Sequence, residues 1–488
     1  MLFNRRRRVV FALFMLAYLF GAVPVSAASE AAIKLRPPIG LEQGAALTLP
    51  GVVDLARRNF PRILEQEAEY RASLRNISLR RVKEYLPNSM LSYQDVAATH
   101  NRLTQTLFST SVLPTTPGPG PERVQMNADA FSAMGFIIDW DPVDFGLHRA
   151  HIEKARAESN VSGAKLKLTV LDVMVQAAGR FLEALVMSEQ VAVAQANVQR
   201  FKDFSLVVHA QVRAGLKPGA DASLADAQLA NAENDLIRAR LNDELARASL
   251  AYAVGLGGQV VDIEAGGLLA VPQPSTNFAI VEPYYREHPL TMKQQALVDS
   301  EKASLKVLQK EYYPRLRWLG GVNLRGSTFK TNRGDVPASD ISGFFPTVPN
   351  WNVGLMVDFP FLEVFRIAAE KKVIVERISA SNQAVALALQ ELKTEEVKAQ
   401  ATYRAARALA ANMPVQVKAA GLAAQQAQAR YEAGLGTVAQ VAEANQILAD
   451  SRVKEAVANV GVWKSLLSVS FVRGDLGPLL QTAEAVGK

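Results

Sequence analysis

The second half of the sequence repeats the first. Val212-Arg213-Ala214-Gly215-Leu216 returns as Tyr431-Glu432-Ala433-Gly434-Leu435, and the register then continues without a gap. Copies about 220 residues apart indicate duplication of half a chain and not a short solenoid repeat. The chain is therefore expected to have internal pseudo-symmetry, as in many rings and tubes. The further matches are Ala225 with Ala444, Leu229 with Leu448, Tyr252 with Phe471, Gly255 with Gly474, Glu84-Tyr85-Leu86-Pro87 with Glu311-Tyr312-Tyr313-Pro314, and Asn59-Phe60-Pro61 with Glu287-His288-Pro289.

The first 27 residues have the pattern of an export signal. Arginines at positions 5–8 precede an apolar run over 9–20 that is too short to span a bilayer comfortably. Val25-Ser26-Ala27 fits cleavage before Ala28; an uncleaved membrane anchor is the alternative. The formal net charge is +7, but the signal supplies much of it, so the mature chain lacks the basic character of a nucleic-acid-binding protein.

The chain contains no cysteine. This excludes disulfides, thiolate metal sites and lipidation on a cysteine that follows the signal. No other segment is apolar enough to be a transmembrane helix. A mature protein of this sequence could therefore meet a membrane only as a β-barrel or from the surface.

Each half is predicted to contain a helix, two strands, a long helix, a turn and a return helix. The first half has helix 52–85 with a kink at Pro61, strands 88–96 and 128–140, and helices 144–213 and 221–255. The second has helix 280–312, strands 315–328 and 351–360, helix 364–432 with a kink at Pro414, and helix 438–473. The predicted domains are the signal (1–27), the first repeat (28–256), a linker (257–278), the second repeat (279–474) and a tail (475–488).

The helix lengths predict how these elements pack. Each long helix of about 70 residues would extend about 100 Å, and the two shorter helices of each half together match that length. We therefore expect two short helices stacked end to end beside one long helix, packed antiparallel.

The strands alternate between apolar and polar residues. In 315–328, apolar Leu316, Trp318 and Val322 alternate with polar residues such as Arg317 and Asn323. This pattern fits an ordinary half-buried sheet, and it also fits a membrane barrel strand. Because single-chain bacterial barrels need about eight strands, four strands would leave open edges in lipid. We therefore expect several copies to close one barrel, and three copies would supply twelve strands.

The ordered set of these motifs resembles the TolC-type outer-membrane efflux proteins. The matching features are the early Asn-x-Pro, the proline before each odd strand, the Ala-Gly-Leu turns and the closing glycines Gly255 and Gly474. The resemblance implies a mainly helical homotrimer with membrane β-structure: a trimeric α-barrel in the periplasm and a 12-stranded β-barrel in the outer membrane of a Gram-negative bacterium. It also implies a periplasmic adaptor and an inner-membrane pump as partners, with outer-membrane lipid around the barrel and no nucleic acid.

The same resemblance assigns roles to residues at the helical turns. It implies that the hairpin tips meet the adaptor; these tips are Arg213, Ala214, Gly215, Leu216, Glu432, Ala433, Gly434 and Leu435. It places the pore gate at Gln440 and Glu443, although the family has an acid where this chain has Gln440. It implies a latch between Asp221 and Tyr431, while Gly436 replaces the family's basic residue. An N-cap role is the alternative for Asp221.

Candidate catalytic and metal-binding groups were weighed against structural roles. Asp144, His148 and His151 share one helical face and could hold a metal. A structural role is preferred, in which Asp144 caps the helix and the imidazoles of His148 and His151 are solvated. No catalytic residue, cofactor site or metal site is predicted, and the chain is interpreted as a non-enzyme. Besides a passive export channel, a periplasmic coiled-coil scaffold without pore activity is possible, whereas an adaptor is disfavoured by the two hairpins and four long strands.

Overall fold

The computed structural model describes residues 46–98, 129–272, 283–327 and 345–487. The predicted signal, the Pro-rich segment 113–121 and most of the loop that joins the last two strands lie outside these residues. The described residues belong to one unit, 43–488. Their fold is mostly helical with a small four-stranded antiparallel sheet, as the sequence predicts.

The two halves have the same order of elements. The first half contains α1 (Leu49–Asn59), α2 (Pro61–Tyr85), β1 (Asn88–Ala98), β2 (Asp129–Val143), α3 (Leu147–Arg213) and α4 (Gly219–Ala253). The second half contains α5 (Pro283–Glu287), α6 (Pro289–Glu311), β3 (Arg315–Ser327), β4 (Val348–Asp358), α7 (Val364–Glu432) and α8 (Val438–Arg473), and α9 (Gly477–Gly487) follows. A 3-10 turn, Phe361–Glu363, precedes α7, which runs through Pro414 without a break.

The sequence predicts one helix at the start of each half, with a kink at Pro61 in the first, whereas each half has two separate helices. Phe60, before Pro61, is extended (φ −66°, ψ 121°), and so is His288, before Pro289 (φ −62°, ψ 134°). The proline ring clashes with a helical conformation of the preceding residue, so each Xaa-Pro step ends one helix and begins another. The expectations of one helix over 52–85, kinked at Pro61, and of one helix over 280–312 are therefore wrong.

Two closing glycines pack against these two breaks. Gly255 has φ +80°, and a Cβ atom there would lie 2.9 Å from the backbone oxygen of Asn59. Gly474 has φ +75°, and a Cβ atom there would lie 3.1 Å from the His288 ring and from Pro289. The sequence repeat thus corresponds to a repeated contact between the end of a return helix and an Xaa-Pro break.

The long helices organise the helical layer. Helix α3 contacts α2 and α6 as well as α4 and α8, and α7 contacts α6 and α8. Ser73 of α2 lies 3.0 Å, Oγ to Oγ, from Ser159 in the N-terminal half of α3. After the hairpin turn, helix α4 runs back along the C-terminal half of α3. Two short helices therefore lie end to end beside one long helix.

The strands form an antiparallel sheet in the order β1-β2-β3-β4. The register between β2 and β3 shifts between Trp140 and Val143, shortly before α3 begins. Within the described residues, β1 and β4 each have one strand neighbour, so both are edges; Pro349 sits in edge strand β4, where a missing N–H is tolerated.

The two faces of the sheet differ in polarity. Residues that pair across strands share a face. One face collects most large apolar side chains: Leu91, Tyr93, Met134, Phe136, Ile138, Trp140, Leu316, Trp318, Val322, Leu324, Trp351, Val353, Leu355 and Val357. On the other face, the guanidinium of Arg317 bridges Asp139 and Asp358 across three strands. In the described part of the chain, no helix combines the length and apolar composition needed to cross a membrane.

His288 should make the protein sensitive to acid. Its Nδ1 accepts from the Leu290 N–H (3.1 Å), capping α6, and its Nε2 donates to the Phe471 carbonyl (2.9 Å). Burial lowers the pKa of His288 below its ordinary value of 6.5. The unfolded chain then binds the proton more readily, so the stability that neutral His288 contributes is present above about pH 6.5 and lost as the pH falls.

We expect the heat-unfolding midpoint of the purified protein to fall between pH 7.5 and pH 5.5, and to fall less in His288→Asn. Asparagine keeps a capping acceptor but does not titrate. His209→Gln is the control, since His209 is partly exposed and faces the Asp226 carboxylate (2.9 Å). An unchanged pH dependence in His288→Asn would contradict this assignment.

Candidate functional site

Both helical hairpins turn on a left-handed glycine. Helix α3 ends at Arg213 and Gly215 has φ +72°; helix α7 ends at Glu432 and Gly434 has φ +77°. The Leu216 N–H donates to Gln211 O (2.9 Å), as the Leu435 N–H does to Arg430 O (2.8 Å). These are the hydrogen bonds by which a glycine closes the C-terminus of a helix.

The eight predicted tip residues are all exposed in the described chain. Leu216 and Leu435 are each 73% exposed. These two leucines remain mostly exposed within the protomer, which suits contact with another molecule. The exposed tip residues are Arg213, Ala214, Gly215, Leu216, Glu432, Ala433, Gly434 and Leu435.

The two return helices begin differently. Pro218 occupies the N-cap of α4 and provides no side-chain cap. Thr437 caps α8 in a capping box: the Gln440 N–H donates to Thr437 Oγ1 (3.3 Å), and the Thr437 N–H donates to Gln440 Oε1 (3.2 Å). Gln440, predicted only as a gate residue, thus has a structural role that the Thr-x-x-Gln pattern could have revealed.

Tyr431 and Asp221 join the two hairpins. The Tyr431 hydroxyl donates to Asp221 Oδ2 over 3.4 Å. Burial, followed by the charge of Asp221 and its hydrogen bond, raises the pKa of Tyr431. The alternative that Asp221 is an N-cap is wrong, since Asp221 lies within the first turn of α4.

The Tyr431 ring fills the centre of an apolar cluster between the hairpins. The ring is fully buried, and its centroid lies 5.1 Å from that of Phe204 in an edge-on arrangement. The Lys217 ammonium lies 4.8 Å from the same centroid. No local pattern pointed to Phe204 or Lys217, because only folding brings them to Tyr431 at the end of α7. The buried members are Phe204, Val208, Ala222, Ala225, Tyr431, Val438 and Val441.

Glu443 lies exposed on α8, one turn beyond the exposed Gln440. Residues three apart share a helical face, so both polar side chains project together, away from the buried neighbours Val441 and Ala442. This arrangement can present a carboxylate and an amide to solvent near the tips. The role of these residues as a gate stays a prediction.

The other polar cluster lies where β2 meets α3. Asp144 accepts from the Gly146 N–H (3.1 Å) and from the His148 N–H in the first turn of α3, although Gly146, and not Asp144, occupies the N-cap position. The expectation that His148 is solvated is wrong: its ring is buried, with Nε2 3.2 Å from Asp141 Oδ2. Burial lowers the pKa of His151. Among the described residues, no cluster of His, Asp or Glu has the arrangement of a metal site.

Comparisons with known proteins bear out the resemblance. Residues 286–463 match the family model described as outer membrane efflux protein. The structure is similar to the CmeC outer membrane channel of Campylobacter jejuni (TM-score 0.70, 14% identity, 92% of this chain and 93% of that chain). It is also similar to the outer membrane protein VceC of Vibrio cholerae (0.66, 15%, 88% and 96%) and to the open state of the MtrE outer membrane channel of Neisseria gonorrhoeae (0.66, 16%, 88% and 89%). No curated protein matches the sequence. At these identities the structural matches show a shared fold.

Proposed function

We propose that this chain, whose residues 286–463 match the outer membrane efflux protein model, forms the outer-membrane channel of a tripartite efflux or secretion system. In this proposal a homotrimer conducts substrates passively from a periplasmic adaptor and inner-membrane pump to the exterior. The two repeats, 28–256 and 279–474, each supply two strands and one long hairpin. The observation that carries the proposal is a sheet with one largely apolar face and two open edges.

The sheet supports a barrel closed by several copies. Unpaired strand edges expose backbone N–H and C=O groups, which lipid cannot satisfy. Pairing β4 of one copy with β1 of the next would close both edges, and three copies would give twelve strands. The apolar face, with Trp318 and Trp351, would then meet lipid, and the face that holds Arg317 would line the lumen.

The exposed apolar side chains of α4 and α7 support the same assembly. Helix α4 exposes Ile237, Leu241 and Leu245, which are 64%, 55% and 58% exposed and lie one turn apart on one face. Helix α7 exposes Val397 and Val415 along its length. A second copy placed edge to edge would bury both helices, as a helical barrel requires.

The tips provide the proposed partner site and gate. The exposed leucines Leu216 and Leu435 would meet the adaptor. The latch at Tyr431, whose ring packs between the hairpins and whose hydroxyl donates to Asp221, would hold the hairpins in the closed state. A ring of three Glu443 carboxylates would concentrate cations at the entrance. Substrate would pass along this route without chemical change, and we propose no catalytic, metal or cofactor role for the chain.

Glu443→Gln should reduce the preference of the channel for cations. Removing one carboxylate per copy removes the local negative potential that attracts them. Gln440→Glu should act in the opposite direction, because glutamate preserves the Thr437 capping box while adding charge. The measurement is the reversal potential of single channels in a planar bilayer under a salt gradient. Equal selectivity in both variants and the wild type would refute the gate assignment.

The proposed function itself is tested with the wild-type protein purified in detergent. A trimer that migrates differently after heating and that produces ion conductance in planar bilayers would support it. A water-soluble monomer without conductance would instead support a periplasmic scaffold. Since barrel closure needs several copies, only preparations whose molecular mass is that of a trimer should produce conductance.

A further inference from the structure

Lys217 lies folded against the neighbouring hairpin. Within residues 213–220 it is the one residue that is not exposed, and its ammonium lies 4.8 Å from the centroid of the Tyr431 ring. We infer that Lys217 is a positioning residue that ties the two hairpin tips of one protomer through a cation–π contact with Tyr431. This inference deepens the proposed function, on which its role in gating rests.

The geometry indicates that the Lys217–Tyr431 contact stabilises the joined tips at least as much as the Tyr431–Asp221 hydrogen bond does. An ammonium within about 6 Å of an aromatic centroid is attracted by the ring, and more strongly where water is excluded. The Tyr431 ring is fully buried on the side of its apolar neighbours. The Tyr431–Asp221 bond, at 3.4 Å, is longer than the usual 2.5–3.0 Å for O–H···O and is correspondingly weak. Phe204 packs edge-on against the ring, which keeps it in place for the ammonium.

The first tip supplies the lysine and the second hairpin supplies the tyrosine, and the repeat does not provide a second such pair with the roles exchanged. In the repeat register, Lys217 corresponds to Gly436, and Tyr431 corresponds to Val212. A Cβ atom on Gly436 would lie 3.1 Å from the backbone nitrogen of Tyr431, so this position leaves little room for a side chain. The second tip therefore cannot clasp the first in the same way. A trimer would hold one such tie within each protomer, and the junction between protomers would lack it.

The absence of cysteine allows a direct test. Leu216→Cys and Leu435→Cys place unique spin labels on the two exposed tips, and mixing with unlabelled protein isolates the distance within one protomer. Lys217→Met removes the charge and keeps the length of the side chain, whereas Lys217→Arg keeps the charge. We expect Lys217→Met to raise the ratio of separated to joined tips about three- to fivefold, and Lys217→Arg to restore the wild-type distribution.

Lys202→Met is the matched control, because Lys202 is exposed on α3 and its loss removes the same charge. An unchanged tip distance in Lys217→Met, or an equal change in Lys202→Met, would overturn the inference. Bilayer recordings then test the proposed channel function separately from the Lys217–Tyr431 contact. If the wild type does not conduct but Lys217→Met still broadens the tip distances, the tie stands and the proposed channel function fails.

Discussion

Tyr431→Ala is expected to be among the most damaging single substitutions near the tips. It removes a fully buried aromatic ring from the centre of the cluster between the hairpins. Truncation of such a ring lowers the free energy of unfolding by about 3–5 kcal/mol, through lost burial and the cavity left behind. The heat-unfolding midpoint of the purified protein should fall clearly, and the tip region should be the first part to become accessible to protease.

The same substitution should also open the proposed gate. With the ring absent, Asp221 loses its donor and Lys217 loses its aromatic partner, so both of these contacts between the tips are lost. We expect a larger conductance and a larger open fraction in planar bilayers. Opening with little loss of stability would mean that the cluster repacks around alanine.

Tyr431→Phe is the matched control. Phenylalanine keeps the contact with Phe204 and the surface on which Lys217 lies, and it loses only a long hydrogen bond. A hydrogen bond to a carboxylate contributes about 1.5–3 kcal/mol at good geometry, and less when it is as long as 3.4 Å. Tyr431→Phe should therefore stay close to the wild type in both measurements. A phenylalanine variant as open as the alanine variant would assign the latch to the hydroxyl instead of the ring.

Gly255→Ala is expected to have the second large effect, at the opposite end of α4. The added Cβ would lie 2.9 Å from Asn59 O and 3.0 Å from Asn59 C, both backbone atoms at the α1–α2 break. The residue also has φ +80°, a conformation that costs an L-residue about 1–2 kcal/mol. Clash and strain together should lower the free energy of unfolding by about 2–5 kcal/mol.

Two neighbouring glycines separate these causes. Gly258 has φ +87° with nothing near its Cβ position, so Gly258→Ala should show the strain alone. The Cβ position of Gly257 is equally open, and the residue is outside the left-handed region, so Gly257→Ala should be nearly neutral. The measurement is the heat-unfolding midpoint of each variant. If Gly255→Ala and Gly258→Ala lower the heat-unfolding midpoint equally, the α1–α2 break has moved to accept the methyl group.

The repeated contact at Gly474 should tolerate alanine better. There the nearest atoms to the added Cβ are ring atoms of His288 and Pro289 at 3.1 Å, farther away than the Asn59 backbone atoms that a Cβ at Gly255 would meet. The backbone strain at φ +75° remains. The comparison indicates that the two halves share a fold while differing in how tightly each closing glycine is held.

Local sequence signals were sufficient for most of the secondary structure. Long runs of Ala, Leu and charged residues predicted α3, α4, α7 and α8 within a few residues, because helix formation depends on neighbours three and four positions away. The glycines at the two tips were identified as turns, since Gly readily adopts positive φ. The alternation in β3 and β4 indicated two faces of different polarity, which the strand register bears out.

The errors arose where several local signals compete. Pro61 and Pro289 were expected to kink a helix or to lie within it, whereas each begins a new one. Asp221 was weighed as a cap, yet Pro218 takes that position and leaves the carboxylate free for Tyr431. His148 was expected to be solvated because its neighbours in the fold are not its neighbours in sequence: the Tyr85 ring, from the end of α2, packs edge-on against its imidazole.

By itself, the sequence determined the duplication, the order of helices and strands in each half, and the position of the tips, since all of these depend on residues close together along the chain. The resemblance implied the Asp221–Tyr431 pair, but only the tertiary structure placed Phe204 and Lys217 against the Tyr431 ring. Phe204, Lys217, Asp221 and Tyr431 lie on different turns and helices, and only the packing of α3 and α4 against α7 and α8 brings them together. Contacts between residues so distant in sequence depend on burial and distance in the folded chain, which no local pattern encodes.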